Sequence, residues 1–460
     1  MINIIVKKNQ VINFCRRRSP AEILMFGFAG VIFLGAIILN LPISSAKGVS
    51  PGFLNCLFTA TSCVCVTGLV VVDTGTYWSL FGQIIVILLI QIGGLGFMSL
   101  MTILFVLAGK RITIKNRLLL QSSVNSDRVQ GVVKFTKYIV FSSLIIEGIG
   151  AFLLSIVFVP EYGLIKGVYF GIWHSISSFC NGGFDLIGDF RSFTGYVNNG
   201  LLTFTVCGLI AVGGLGFAVT SDLWNFRRAR KITLHSKIVI TTTLLLIFGG
   251  ASLIYIFEYS NPETLGNLPW YGKIFAAFYQ SVTPRTAGSN TISQVGLMPI
   301  SLVVTMILMF IGGSPGSTAG GVKTTSIALM FITLYSILTG KKDVNCFKRN
   351  IPFQTLKQAS SVFFIGILIV LLMFMILLAA EPNVPMERLL FEVFSAYSTV
   401  GLTCDLTPHL SSISKSALII CMFTGRVGPL TIAYVITRKE RKELENKGQF
   451  KLPEGNILIG

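Results

Sequence analysis

Eight apolar stretches long enough to cross a bilayer alternate with four that are too short, and this alternation leaves few folds open. The long stretches are residues 21–43, 79–108, 135–158, 201–223, 238–257, 302–338, 362–379 and 417–436. A spanning helix needs about 20 apolar residues. Between the two members of each pair lies a shorter segment bounded by Gly or Pro, at 51–65, 166–180, 270–283 and 385–398. Such segments read as re-entrant half-helices that enter and leave the membrane on one side. The expected unit is span, half-helix, span, repeated four times.

Composition supports the same class. Apolar residues make up 52% of the chain and charged residues 12%, with a mean hydropathy of +0.75. Soluble proteins carry about 25% charged residues, so a water-soluble enzyme is excluded. The net charge of +18 does not indicate nucleic acid, because most of the 37 Lys and Arg fall in five clusters beside apolar stretches. These clusters lie before residue 20 and at 110–137, 227–237, 341–357 and 438–451. No aromatic residues interleave them as a single-strand platform requires. They follow the positive-inside pattern, so every unit starts and ends in the cytoplasm and both termini are cytoplasmic. The repeats are then parallel, related by an axis along the membrane normal, and not inverted.

The expected fold is an all-α polytopic membrane protein with pseudo-four-fold symmetry around a central pore, of eight transmembrane helices and four re-entrant helices. An N-terminal arm (1–20) precedes repeats at 21–109, 110–230, 231–342 and 343–438, and a tail follows at 439–460. Residues 21–43 are too long for the core of a signal peptide and read as a retained first span. Nine Cys without regular spacing, several inside apolar stretches, read as buried free thiols.

Gly68, Gly183, Gly288 and Gly401 follow the half-helices at separations of 115, 105 and 113 residues. Ten residues before each stands an aromatic: Phe58, Trp173, Phe278 and Phe391. The local strings are Val66-Thr67-Gly68-Leu69, Asn181-Gly182-Gly183-Phe184, Thr286-Ala287-Gly288-Ser289 and Thr399-Val400-Gly401-Leu402. A second glycine-rich signature follows in each second span, at 93–96, 213–216, 312–316 and 425–428. Non-helical backbone at membrane depth is tolerated only where it is buried in protein or lines a water-filled path. Four converging loops of this kind can replace the hydration shell of an alkali cation with carbonyl oxygens. Each half-helix would aim its partially negative C-terminus at the same centre. Asp73, Asp185 and Asp405 lie just beyond three of the glycines, with Asn290 in the third repeat, and are expected in an outer vestibule that concentrates cations.

The third repeat carries an interruption, Gly312-Gly313-Ser314-Pro315-Gly316-Ser317-Thr318-Ala319-Gly320-Gly321, where a continuous helix is excluded by Pro315 and five glycines. A phosphate loop needs Gly-Lys-Ser/Thr, and Val322 separates Gly321 from Lys323. The segment reads as a flexible intramembrane loop obstructing the path, the alternative being a passive helix break. Arg426 occupies the corresponding place in the fourth repeat, where a charge faces a partner or a cavity. It is expected to repel cations and tie the loop by donating to its carbonyls. Glu147 and Lys323 are either a pair or separate anchors, and His174, His235 and His409 show no metal-ligand spacing.

With these four ordered motifs, residues 20–440 resemble the Ktr/Trk/HKT superfamily of potassium transporters, and most of all the membrane subunit of bacterial Ktr systems. The resemblance implies potassium uptake across the cytoplasmic membrane through a filter of carbonyls at Val66, Thr67, Gly68, Asn181, Gly182, Gly183, Thr286, Ala287, Gly288, Thr399, Val400 and Gly401. In that superfamily a Ser at a filter Gly goes with sodium transport, so four glycines point to potassium. Gating by the intramembrane loop is likewise implied. So are a homodimeric membrane part and a cytosolic ring of regulatory subunits that bind nucleotides. No loop of this chain has room for a nucleotide-binding domain, the longest cytoplasmic stretch being 110–137. Potassium is then the transported ion and sodium a candidate activator, with no organic cofactor on this chain. The principal rival is an alternating-access secondary cation transporter, which the charge clusters disfavour. A membrane enzyme lacks any catalytic constellation on one face.

Overall fold

The computed structural model describes residues 20–96, 132–230, 232–341, 343–429 and 431–432. The N-terminal arm, most of the 110–137 cluster and the basic tail lie outside the described residues. Within them the chain is almost wholly helical. The first helices of the four units are α1 (Pro20–Leu39), α5 (Val132–Tyr162), α9 (Leu234–Glu258) and α13 (Phe353–Ala380). Short helices follow, α2 (Phe53–Cys65), α6 (Leu164–Phe179), α10 (Trp270–Val282) and α14 (Met386–Ser398). They lie within two residues of the bounds expected from sequence. A one-turn helix α3 (Thr74–Tyr77) stands before the second helix of the first unit.

The second helices are α4 (Leu80–Leu95), α7 (Gly200–Leu215), α11 (Pro299–Phe310) and α15 (Ser412–Val427). Three start on a capping side chain: Ser79, Asn199 and Ser411 accept from the backbone N–H of Gly82, Leu202 and Ser414. The remaining one starts with Pro299 in its first turn, where no N–H is needed. Helix α8 (Phe217–Ala229) leaves α7 across Gly216 at 100°, and α12 (Thr324–Leu338) follows the third-unit interruption. A hairpin of β1 (Asn345–Cys346) and β2 (Arg349–Asn350) is the small exception to the all-α expectation.

The second helices correct the sequence reading. Interruption was expected in the third repeat alone, yet all four stop after 12 to 16 residues. Three of them end at a glycine of positive φ, Gly96 (78°), Gly216 (89°) and Gly428 (92°), a conformation that disfavours any side chain. Among the described residues four helices are long and apolar enough to cross a membrane, all of them first helices, and a fifth if α7 and the start of α8 count as one bent span. Their outward faces are apolar and exposed, for example Phe141, Phe152, Leu245, Phe248 and Met375, as expected where lipid is the solvent.

Glycine fixes how the second helices meet the short ones. A Cβ on Gly93, Gly213 or Gly425 would run into the carbonyl oxygen of Val64, Phe179 or Tyr397 respectively. Those carbonyls belong to equivalent residues, each four before a repeat glycine. We expect Gly425→Ala to lower the melting temperature of the detergent-solubilised protein or prevent its assembly, since overpacking costs about 1–3 kcal/mol. Gly148→Ala on α5, where a Cβ meets nothing within 4 Å, is the control and should melt like the parent.

Candidate functional site

Each short helix ends in a turn of the same conformation. Val66, Asn181, Thr286 and Thr399 have φ of 58°, 61°, 71° and 53°, and Gly68, Gly183, Gly288 and Gly401 have φ of 90°, 70°, 82° and 97°. The residue between each pair, Thr67, Gly182, Ala287 or Val400, is not left-handed. Three of the four leading residues are β-branched, for which a left-handed backbone costs on the order of 1–3 kcal/mol. Strain of this kind persists only where the surroundings hold it.

Here the surroundings are the other turns. A Cβ on Gly68 would lie 2.7 Å from Gly182 O, and one on Gly183 would lie 2.5 Å from Ala287 O. On Gly288 it would strike Val400 O, and on Gly401 it would strike Thr67 O, which closes the circuit. The four glycines therefore pack in a ring in chain order, with no room for a side chain at any of them.

Hydroxyl groups in the short helices lock the turns. Ser62 Oγ accepts from Gly68 N at 3.1 Å, and Ser395 Oγ accepts from Gly401 N at 3.0 Å. Ser177 Oγ donates to Phe184 O at 2.7 Å, and Thr283 Oγ1 donates to Ser289 O. Between units, the Asn181 carboxamide hydrogen-bonds Thr286 Oγ1 at 3.0 Å. The Oγ1 atoms of Thr67 and Thr399 are buried without a partner among the described residues.

One side of the ring opens to a cavity of about 400 Å³ lined by all four repeat glycines. Asp73, Asp185, Asp405 and Asn290 line it too, as the sequence led us to expect. Asp73 also caps α3 by accepting from Gly75 N at 3.0 Å. Burial, reinforced by nearby Asp73 and opposed by the N–H groups of Ile187 and Gly188, pushes the Asp185 carboxyl up to about 7. Arg191 and His409 also line it.

On the other side the interrupted segment lies directly against the turns. A Cβ on Gly320 would meet the Thr399 side chain, and one on Gly321 would lie 3.2 Å from Ser398. The loop is stitched to the broken end of α7: Ser314 N and Oγ donate to Gly214 O at 3.0 and 2.9 Å, and Thr318 N donates to Gly213 O at 3.3 Å. Phe217 N donates back to Gly316 O at 3.0 Å. Arg426 donates one Nη to Thr318 O and the other to Gly93 O, so a single guanidinium joins the loop, the end of α4 and its own helix α15. Lys323 Nζ reaches Ala319 O at 2.8 Å, while Gln91 donates to both oxygens of Glu147 at 3.0 and 3.2 Å. Lys323 and Glu147 are separate anchors and not a pair. His174 is structural, with Nδ1 2.8 Å from Phe170 O and Nε2 accepting from Leu186 N at 3.1 Å.

Two features escaped the sequence reading. The hydroxyls at Ser62, Ser177 and Ser395 stand six residues before their glycines, and Thr283 five before Gly288, a spacing that was legible. Arg285 is buried at 6% exposure three residues before Gly288, where the other repeats carry Cys65, Cys180 and Ser398.

Residues 19–446 match the TrkH family, described as cation transport protein. The chain is 40% identical to the potassium/sodium uptake protein NtpJ of Enterococcus hirae, over 97% of this chain and 98% of that one. It is 38% identical to the Ktr system potassium uptake protein B of Bacillus subtilis, over 99% of this chain and all of that one. The crystal structure of the potassium transporter TrkH from Vibrio parahaemolyticus superposes with a TM-score of 0.72 at 16% identity, covering 92% of this chain and 86% of that chain, and so shares the fold. The ring of four strained turns, with an acidic cavity on one side and the interrupted loop on the other, thus lies in a transporter rather than an enzyme, and the chain belongs to the TrkH family of cation transport proteins.

Proposed function

We propose that this chain takes up potassium across the cytoplasmic membrane, with the carbonyls of the four turns as its selectivity filter. The closed ring of glycines carries the reading. Four helix C-termini end at it, each equivalent to roughly half a negative charge, and the unpartnered hydroxyl oxygens of Thr67 and Thr399 offer further ligands for a cation. The relatives' names point to the same ion. One of them also names sodium, which favours a second reading in which sodium passes or activates. In the 312–321 loop we see the gate, held shut by Arg426. The basic cytoplasmic loops are read as the seat of a cytosolic ring of nucleotide-binding regulatory subunits on a homodimer of this chain.

Rubidium uptake into proteoliposomes under an imposed membrane potential tests the central claim. Uptake should track the potential without counter-substrate, and uptake that requires one would establish alternating access instead. Reversal potentials in mixed potassium and sodium should favour potassium; a value at the sodium equilibrium would overturn the ion assignment.

Arg426 makes two charge-assisted hydrogen bonds, each worth about 1.5–3 kcal/mol. Arg426→Gln should therefore raise basal flux severalfold in an assembled protein. Unchanged flux would remove Arg426 from the gate.

The vestibule gives a pH dependence with a definite sign. Asp185 is neutral below about 7 and charged above it, so a rise in external pH makes the cavity more negative and attracts cations. Conductance at fixed voltage and low potassium should increase as external pH passes from 6 to 8. Asp185→Asn should flatten that step, and a step that persists would assign it to another group.

A further inference from the structure

The third repeat places a fixed positive charge where the other three place small neutral side chains. Arg285 sits three residues before Gly288, and Cys65, Cys180 and Ser398 hold the equivalent positions. Each of the latter two packs against a glycine of the preceding unit, Cys180 against Gly94 and Ser398 against Gly321. Arg285 and Gly214, the counterpart of Gly94, line the same narrow gap together with Ile210, Ala211, Ile247 and Val282. An aliphatic gap beside a filter is an expensive place for a guanidinium, which stays protonated in proteins.

Its partners are sparse. Nη1 and Nη2 reach Thr243 O and Oγ1 on α9, both at 3.3 Å, and Nε has no partner among the described residues. The only ion pair found among those residues joins Arg191 to Asp189, so no described carboxylate neutralises Arg285. What remains to balance the charge is the C-terminus of α10, which ends at Val282, whose carbonyl accepts from Arg285 N at 3.1 Å. That helix end is one of the four that point their negative pole at the ring.

We propose that Arg285 is a positioning residue that weakens ion binding in the filter, its charge offsetting the pole of α10 while its side chain ties the third turn to α9. The proposal rests on the carbonyl-filter reading. A conducting filter must hold its ion loosely enough to let it leave, and a single fixed cation outside the carbonyl ring does this without altering the ring itself.

The test is the concentration dependence of rubidium uptake in proteoliposomes, with KM and maximal rate read separately. Arg285→Lys keeps the charge and should leave KM within twofold of the parent. Arg285→Met removes it and should lower KM at least threefold, with a maximal rate unchanged or reduced. Thr243→Asp neutralises the guanidinium without deleting it and should lower KM in the same way, which preserves the test if Arg285→Met does not assemble. Unchanged KM in the assembled neutral variants overturns the assignment, as does an equal shift in Arg285→Lys, which would show that shape and not charge matters. Failure of both neutral variants to assemble beside a well-folded Arg285→Lys also overturns it, making the charge a requirement of folding. Parent proteoliposomes that take up no rubidium would instead sink the filter reading, so the two failures are separable.

Discussion

Backbone that leaves the helix inside a bilayer must find other partners for its N–H and C=O groups, because an unsatisfied group in hydrocarbon costs several kcal/mol. One such departure follows each short helix, and the second helices stop close by. Gly68 and Gly401 turn their N–H groups onto serines of their own helices, and each glycine seats its Cα against the next turn. No turn could hold its left-handed residues alone. Val66, Thr286 and Thr399 keep strained backbones because a closed ring leaves them nowhere to relax. The second helices complete the support, since only glycine lets Gly93, Gly213 and Gly425 press on the carbonyls behind the turns.

Against that regularity the third unit stands apart, and its exceptions occur together. Pro284 occupies the position whose carbonyl the second-helix glycine contacts elsewhere, and the third-unit glycine, Gly312, faces Gly320 of its own loop instead. Arg285 replaces a small residue, Asn290 replaces an acidic one, and the second helix stops after 12 residues. On the proposed reading, a ring of four equal carbonyl sources needs no such variation to bind a cation, whereas a gate does, because the third unit is the one whose second helix is followed by a loop lying against the turns.

Much of this was legible in the chain. The short helices were bounded by Gly and Pro and by the glycines they precede, so their limits could be read to within two residues. Asp73, Asp185 and Asp405 declared themselves by position, and the loop by its lack of helix formers. The glycine-rich signatures at 93–96, 213–216 and 425–428 marked the sites where α4, α7 and α15 stop, but not the stops themselves, because glycines are tolerated in a membrane helix and their φ is set by neighbours distant in sequence. Arg285 was missed for a related reason. A lone Arg beside a proline resembles a loop residue until the fold buries it between α7 and α9.

The break in α7 and the loop of the third unit are one feature seen from two sides. Helix α7 ends at Leu215, so the carbonyls of Gly213 and Gly214 lack the N–H groups that another turn would supply. The loop supplies them, through Ser314 N and Oγ on Gly214 O and Thr318 N on Gly213 O. On the proposed reading, a loop that swings aside must leave those carbonyls facing the space it vacates. Hydrocarbon cannot satisfy them, whereas water and a hydrated cation can. The open state is then stable only when wet, and the same unpaired oxygens that hold the loop in place become part of the lining once it moves. Arg426 adds a second lock on Thr318 O from the opposite helix, so release of the loop requires the guanidinium to exchange a carbonyl for water at the moment the path hydrates.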